Sequence, residues 1–270
     1  MPDEILRAAP LFLLLFARAV AMIETAPLLS SETVPQTAKV SLALFAAFAV
    51  FPSASGQAGW MLLPGMTGGV FTPAYALLLA GEALIGIITG FFITIIFASA
   101  SSAGQFFSLQ MGFGASETFD PLAQIENPLM GQFLNLVALL TFLVTGGVQN
   151  MFLWGFAASV RSLNVVELVN GRENVVLMLS GGLSRLFLDA VVIAMPILGT
   201  LLLTSLATGL ISKAAPQINI LAEGFPISIS VAFVLIMATL PFMVEALGRV
   251  LDGGFRSLQD LYIRVGGGIG

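Results

Sequence analysis

Arg18, Glu24, Glu82, Arg185, Asp189 and Glu245 all lie within, or at the edges of, apolar stretches. A charge at the centre of a bilayer costs about 2.5–3.5 kcal/mol on insertion scales. Each must therefore reach an interface, find an opposite charge or face a polar path. Arg185 and Asp189 are four positions apart, which brings them together across one helical turn. Three kinds of chemistry fit that spacing: a local ion pair at a helix end, a proton or ion relay, and a contact with a partner subunit. The rest of the chemical repertoire is narrow. The chain has no histidine and no cysteine, which removes imidazole acid–base chemistry, thiol nucleophiles, disulfides and most zinc or haem ligands. No metal site and no cofactor is expected, and an enzyme acting within a membrane would have few groups suited to proton transfer.

The elements that must position these charges are apolar helices. Of 270 residues, 57% are hydrophobic and 9% charged, against about 25% charged in a soluble domain. So little charge cannot cover a water-facing surface, and the expected class is an all-α integral membrane protein whose spans satisfy their own backbone hydrogen bonds. A barrel would show short alternating segments, whereas the apolar runs here are long. A net charge of −5 and the lack of a basic patch argue against nucleic acid as a partner. Residues 1–7 do not form the net-positive start of a signal peptide, so the first apolar stretch is expected to be retained.

Apolar periodicity predicts six helical regions, at about 8–29, 37–51, 74–101, 129–156, 183–212 and 227–251. The second is short for a crossing that needs about 20 residues. Residues 52–73 form a Gly/Pro/Ser-rich connector, 161–173 a hydrophilic loop, and 252–270 a polar tail. Near the C-terminus two charge-free stretches, 190–212 and 224–244, face each other across a polar turn at 213–223. Pro196 and Gly199 interrupt the fifth region and Pro241 the sixth. Proline removes a backbone donor, so kinked helical hairpins packed against other protein are expected. Gly86 and Gly90 form a GxxxG pair suited to close helix packing. There is no internal repeat and no linker between independent domains.

Between the third and fourth regions lies 104–121, with glycines at 104, 112 and 114 and four phenylalanines and Met111 interleaved with polar residues. An apolar loop of this kind should not sit in water, nor irregular backbone face lipid. It reads either as ordinary packing of a re-entrant segment or as a soft hydrophobic plug that closes a pore by excluding water.

Three segments carry a resemblance to a known family. One is Ser212-Lys-Ala-Ala-Pro-Gln-Ile-Asn-Ile220 running into Gly224-Phe-Pro226. Another is Gly104-Gln105 with Leu109-Gln-Met-Gly112 and Asp120-Pro121. The third is Arg18, Pro27 and Pro35-Gln-Thr-Ala-Lys39. In order, spacing and length the chain resembles the FliR family, a component of the flagellar type III protein export gate. The resemblance implies a non-enzymatic pore and assembly subunit in the bacterial inner membrane, at the flagellar basal body. It implies a helical hetero-oligomeric export gate shared with FliP and FliQ subunits, with unfolded flagellar substrates passing through its centre. It further implies a FliP-like part over 1–182 and a FliQ-like hairpin over 183–251. The plug would be segment 104–121, placing Phe106, Phe107, Met111, Gly112, Phe113 and Phe119 near the closed pore. The turn with Lys213, Pro216, Gln217, Glu223 and Pro226 would face the cytoplasmic entrance, where FlhB, and with it FlhA, is expected.

Arginine counting disagrees. Arg7, Arg161, Arg172, Arg249, Arg256 and Arg264 share one side of a six-span arrangement, opposite Lys39 and Lys213, which puts both termini rather than the turn in the cytoplasm. Helices packed inside an assembly, above the bilayer plane, need not follow a rule for lipid-spanning segments, so the resemblance carries more weight. The alternative function is a proton- or ion-coupled secondary transporter using Glu82, Asp189 or Glu245, although such transporters usually contain an internal repeat.

Overall fold

The computed structural model describes residues 2–56, 60, 72–112, 129–214 and 220–265. Among them every regular element is helical. In chain order these are α1 (Pro2–Thr25), α2 (Gln36–Ser55), α3 (Pro73–Met111), α4 (Leu129–Val144), α5 (Gly147–Asn150), a π-helical turn (Met151–Ala157), α6 (Ala158–Ser162), α7 (Val165–Asn170), α8 (Arg172–Ala214) and α9 (Ile220–Val265). By length and composition, 5 helices could cross a membrane, or up to 6 if α4 and the bent segment after it form one span. The all-α membrane class expected from composition is the class observed.

Several boundaries differ from the sequence expectation, each for a packing reason. The third region was expected to end near Ser101 and instead remains helical to Met111. Ala103, Phe107 and Met111 recur every four residues on one helix face, and all three are buried. Gly104 does not loosen this helix. A Cβ there would lie 2.3 Å from the Met130 carbonyl oxygen, so glycine is what lets the start of α4 pack against α3. The fourth region is a bent pair of helical segments, Leu129–Val144 and Gly147–Ser162. The bend falls at Gly146, whose φ of 72° is in the left-handed region that glycine enters without steric cost. No proline is needed there, while α8 and α9 run on through Pro196, Pro226 and Pro241.

The expected hydrophilic loop at 161–173 is mostly helical. Two of its polar residues form a cap: Asn164 Oδ1 accepts the Glu167 N–H at 2.9 Å and Glu167 Oε2 accepts the Asn164 N–H at 2.7 Å. This reciprocal capping box starts α7. Residues 252–265, expected as a polar tail, continue α9. Phe255, Leu258, Leu261 and Tyr262 are buried, while Asp252, Arg256, Asp260 and Arg264 are exposed at four-residue spacing. The apolar stripe was hidden by the charges alternating with it.

The chain divides into two compact units. The first comprises Met1–Ile95, Gly146–Gly182 and Asp252–Gly270, and the second Ile96–Thr145 and Leu183–Leu251. In the second unit, Phe97 and Phe142 meet edge to face with centroids 5.2 Å apart. Exposed apolar side chains run along its parts of α8 and α9, among them Leu188, Leu203, Val234 and Met237.

In the first unit, α1 and α3 approach closely. A Cβ on Gly86 would lie 2.3 Å from the Arg18 carbonyl oxygen, and one on Gly90 2.0 Å from Thr25 Oγ1. Glu82, Gly86 and Gly90 share one helix face by their spacing. The two glycines therefore bring the α1 backbone against α3 one and two turns away from Glu82. The turn after α1 is fastened by Lys39 Nζ, which donates to Glu24 Oε2 at 3.1 Å and to the Ser30 carbonyl at 3.4 Å.

Candidate functional site

The densest polar constellation among the described residues is buried in the first unit, around Arg18. Its side chain is 1% exposed and that of Glu82 is fully buried. Arg18 Nε donates to Glu82 Oε2 at 2.7 Å, and Nη2 donates to the same oxygen. Nη1 donates to Ser159 Oγ at 3.2 Å and Nη2 to the Leu163 carbonyl at 2.8 Å. The guanidinium also lies 5.3 Å from the ring centroid of Trp60, within cation–π range. Trp60 Nε1 in turn donates to the Val160 carbonyl at 3.2 Å. Glu82 Oε1 is buried without a hydrogen-bond partner among the described residues.

This arrangement follows from the helices that carry it. Arg18 projects from α1, Glu82 from α3, and Ser159 and Leu163 come at and just after α6. One cation thus ties together segments 64 and 141 positions apart in sequence. Removing one partner of such a buried pair leaves an uncompensated charge, at a cost of about 3–5 kcal/mol. Chemically, the cluster is a buried ion pair made through one carboxylate oxygen, Oε2. Glu82 is held by Arg18, so it is not a free carboxylate available to a transport path.

A second polar link lies in the same unit. The Tyr262 hydroxyl sits 3.1 Å from the Gly155 carbonyl and 3.0 Å from Thr89 Oγ1. Gly155 belongs to the π-helical turn. Tyr262 was not among the residues singled out by sequence. The available signal was the apolar series Leu251, Phe255, Leu258 and Tyr262, which falls on one helix face.

The residues that sequence did single out are placed as follows. Phe107 and Met111 are fully buried in the helical end of α3, and Phe106 is half-buried there. Gly112 follows the helix with φ 85°. Phe113 and Phe119 lie outside the described residues. Lys213 is exposed at the end of α8, and Pro226 is exposed within α9. Glu223 belongs to the first turns of α9, while Pro216 and Gln217 lie outside the described residues. Arg185 is exposed and Asp189 half-buried on α8. The ion pairs among the described residues are elsewhere, at Arg18–Glu82 and Lys39–Glu24. Sequence spacing exposes only local pairs, and the Arg18–Glu82 partnership is not local.

These features define an all-helical, multi-pass membrane protein whose buried charges serve to hold helices together. The chain belongs to the family described as bacterial export proteins, family 1, which matches residues 9–254. It is 31% identical over 247 residues to the flagellar biosynthetic protein FliR of Escherichia coli K12, covering 90% of this chain and 89% of that one. It is 26% identical over 266 residues to FliR of Bacillus subtilis 168, covering 98% and 99% respectively. With FliR of Borreliella burgdorferi it shares 34% identity over 188 residues, covering 69% and 70%.

Proposed function

We propose that the protein is a non-enzymatic core subunit of the flagellar protein export gate in the bacterial inner membrane, where it helps build the pore through which unfolded flagellar substrates pass. The family match and the name shared by its relatives support the flagellar assignment. The structural observation that carries the subunit role is the uncovered apolar length of α8. Exposed apolar side chains run along it from Val176 to Ile211, about 50 Å of helix contour at about 1.5 Å per residue. A bilayer core is about 30 Å thick. Tilting by up to about 40° still leaves apolar surface that lipid does not cover, so protein must cover it. Between Ile227 and Val244, α9 likewise exposes apolar side chains, among them Phe233, Val234, Met237 and Phe242.

In this reading FliP and FliQ subunits cover these faces within one complex. The turn around Lys213 and Glu223 faces the cytoplasmic entrance, toward FlhB and FlhA. The segment 104–121 is the plug that helps to seal the closed pore, with Phe107 and Met111 buried at the helical end of α3. The transporter alternative is weakened because Glu82, one of its three candidate carboxylates, is buried in an ion pair with Arg18.

Deleting the gene from its own bacterium and complementing it on a plasmid tests the assignment. Hook and filament proteins should disappear from the culture medium and return with the plasmid, while general secretion is unchanged. Normal filament export in the deletion strain would overturn it.

A further inference from the structure

We propose that Tyr262 is a latch on the π-helical turn, so that the C-terminal end of α9 sets the register in which α6 meets Arg18. A π-helical turn holds one more residue than an α-helical turn bridging the same flanks, and its wider i→i+5 ring is the less stable one. The Ala158 N–H bonds the Leu153 carbonyl in this wide pattern. Relaxing the turn to α geometry without removing a residue would rotate everything after it by about 100°. That rotation would carry Ser159, Val160 and Leu163 away from their partners. Ser159 Oγ and the Leu163 carbonyl would leave Arg18, and the Val160 carbonyl would leave Trp60 Nε1. A buried cation would lose two of its acceptors.

Something must hold the wide turn, and the C-terminal segment is built to do so. Tyr262 donates its O–H to the Gly155 carbonyl inside the turn, and its oxygen lies 3.0 Å from Thr89 Oγ1, whose own O–H is donated to the Ile85 carbonyl. Tyr262 is buried, as are Phe255, Leu258 and Leu261 on the same segment. Three residues on, Val265 packs against Gly171, where an added Cβ would lie 2.4 Å from Val265 Cγ1. The opposite face of this segment is the exposed charged series Asp252, Arg256, Asp260 and Arg264. The segment is thus a clasp with an apolar inner face and a solvated outer one, and drawing it away would free the turn.

Hydrogen exchange on the full chain, purified in detergent with whatever subunits accompany it, tests the latch. Tyr262→Phe keeps the ring and removes the hydroxyl. Backbone amides of 155–163 should exchange about three- to tenfold faster, the range expected for one hydrogen bond, while those of 85–95 in α3 are unchanged. Thr89→Val leaves the Tyr262–Gly155 bond and should leave 155–163 at the parent rate. Unchanged exchange at 155–163 in Tyr262→Phe would overturn the latch. So would acceleration throughout the first unit, or an equal effect from Thr89→Val, because either would mean general packing rather than a hold on the turn. None of these readouts depends on the export reading.

Discussion

Replacing Glu82 by glutamine removes the carboxylate charge with almost no change of shape. Arg18 donates twice to Glu82 Oε2. Hydrogen bonds to charged groups contribute about 1.5–3 kcal/mol each and neutral ones about 0.5–1.5. Losing the charge at two bonds therefore costs about 2–3 kcal/mol. The guanidinium is also left as a buried cation with neutral acceptors only, which moves the total toward the about 3–5 kcal/mol seen when one partner of a buried pair is removed. A loss of about 3 kcal/mol lowers the midpoint of thermal unfolding by about 6–12 °C in a chain of this size class. The protein carries its own reporter, since one of its 2 tryptophans, Trp60, lies over the Arg18 guanidinium. Unfolding followed by tryptophan fluorescence at a fixed scan rate should show the shift. Replacing both Arg18 and Glu82 by methionine removes both charges and should recover more than half of it. A glutamine variant melting within about 2 °C of the parent would refute the reasoning, because the ion pair would then contribute nothing that an amide does not.

Three further outcomes are expected. Gly90→Ala should destabilise the first unit by about 2 kcal/mol or more, because its Cβ would meet Thr25 Oγ1 at 2.0 Å and the Met22 carbonyl at 2.7 Å. Gly199→Ala, with nothing within 4 Å, should instead stabilise α8 by about 0.5–1 kcal/mol, and thermal melts of the two variants would compare them. Leu258→Ala should cost about 2–5 kcal/mol, since Leu258 is fully buried, whereas Ile263→Ala, 61% exposed, should cost less than about 0.5 kcal/mol; melts again decide. Replacing Lys213 and Glu223 together by alanine should impair motility and crosslinking to FlhB while leaving the amount of protein in the membrane unchanged, as read by swimming assays and membrane immunoblots.

The helical membrane class was legible because it depends on composition, which no packing detail can reverse. The GxxxG pair was legible as a packing device because Gly86 and Gly90 act through local spacing on one helix face. Arg18 and Glu82 were both visible as misplaced charges, but their partnership was not. They are 64 positions apart, and only the approach of α1 to α3 brings them together. Local spacing drew attention to Arg185 and Asp189 instead. Gly104 was read as a loosening residue because a sequence cannot show the Met130 carbonyl against it. Residues 252–265 were read as a tail because charges at every fourth position obscured the buried stripe between them. The π-helical turn had no sequence signal at all, and the side-chain bond made inside it, from Tyr262 to the Gly155 carbonyl, comes from 107 positions away.

The most direct test of the export-gate assignment is the composition of what leaves the membrane with this chain. Affinity purification of the tagged chromosomal copy in mild detergent, followed by native mass spectrometry, should give one complex holding this chain with several copies of two smaller apolar subunits. Recovery of the chain alone, in a form that transports a small solute saturably in liposomes, would contradict it.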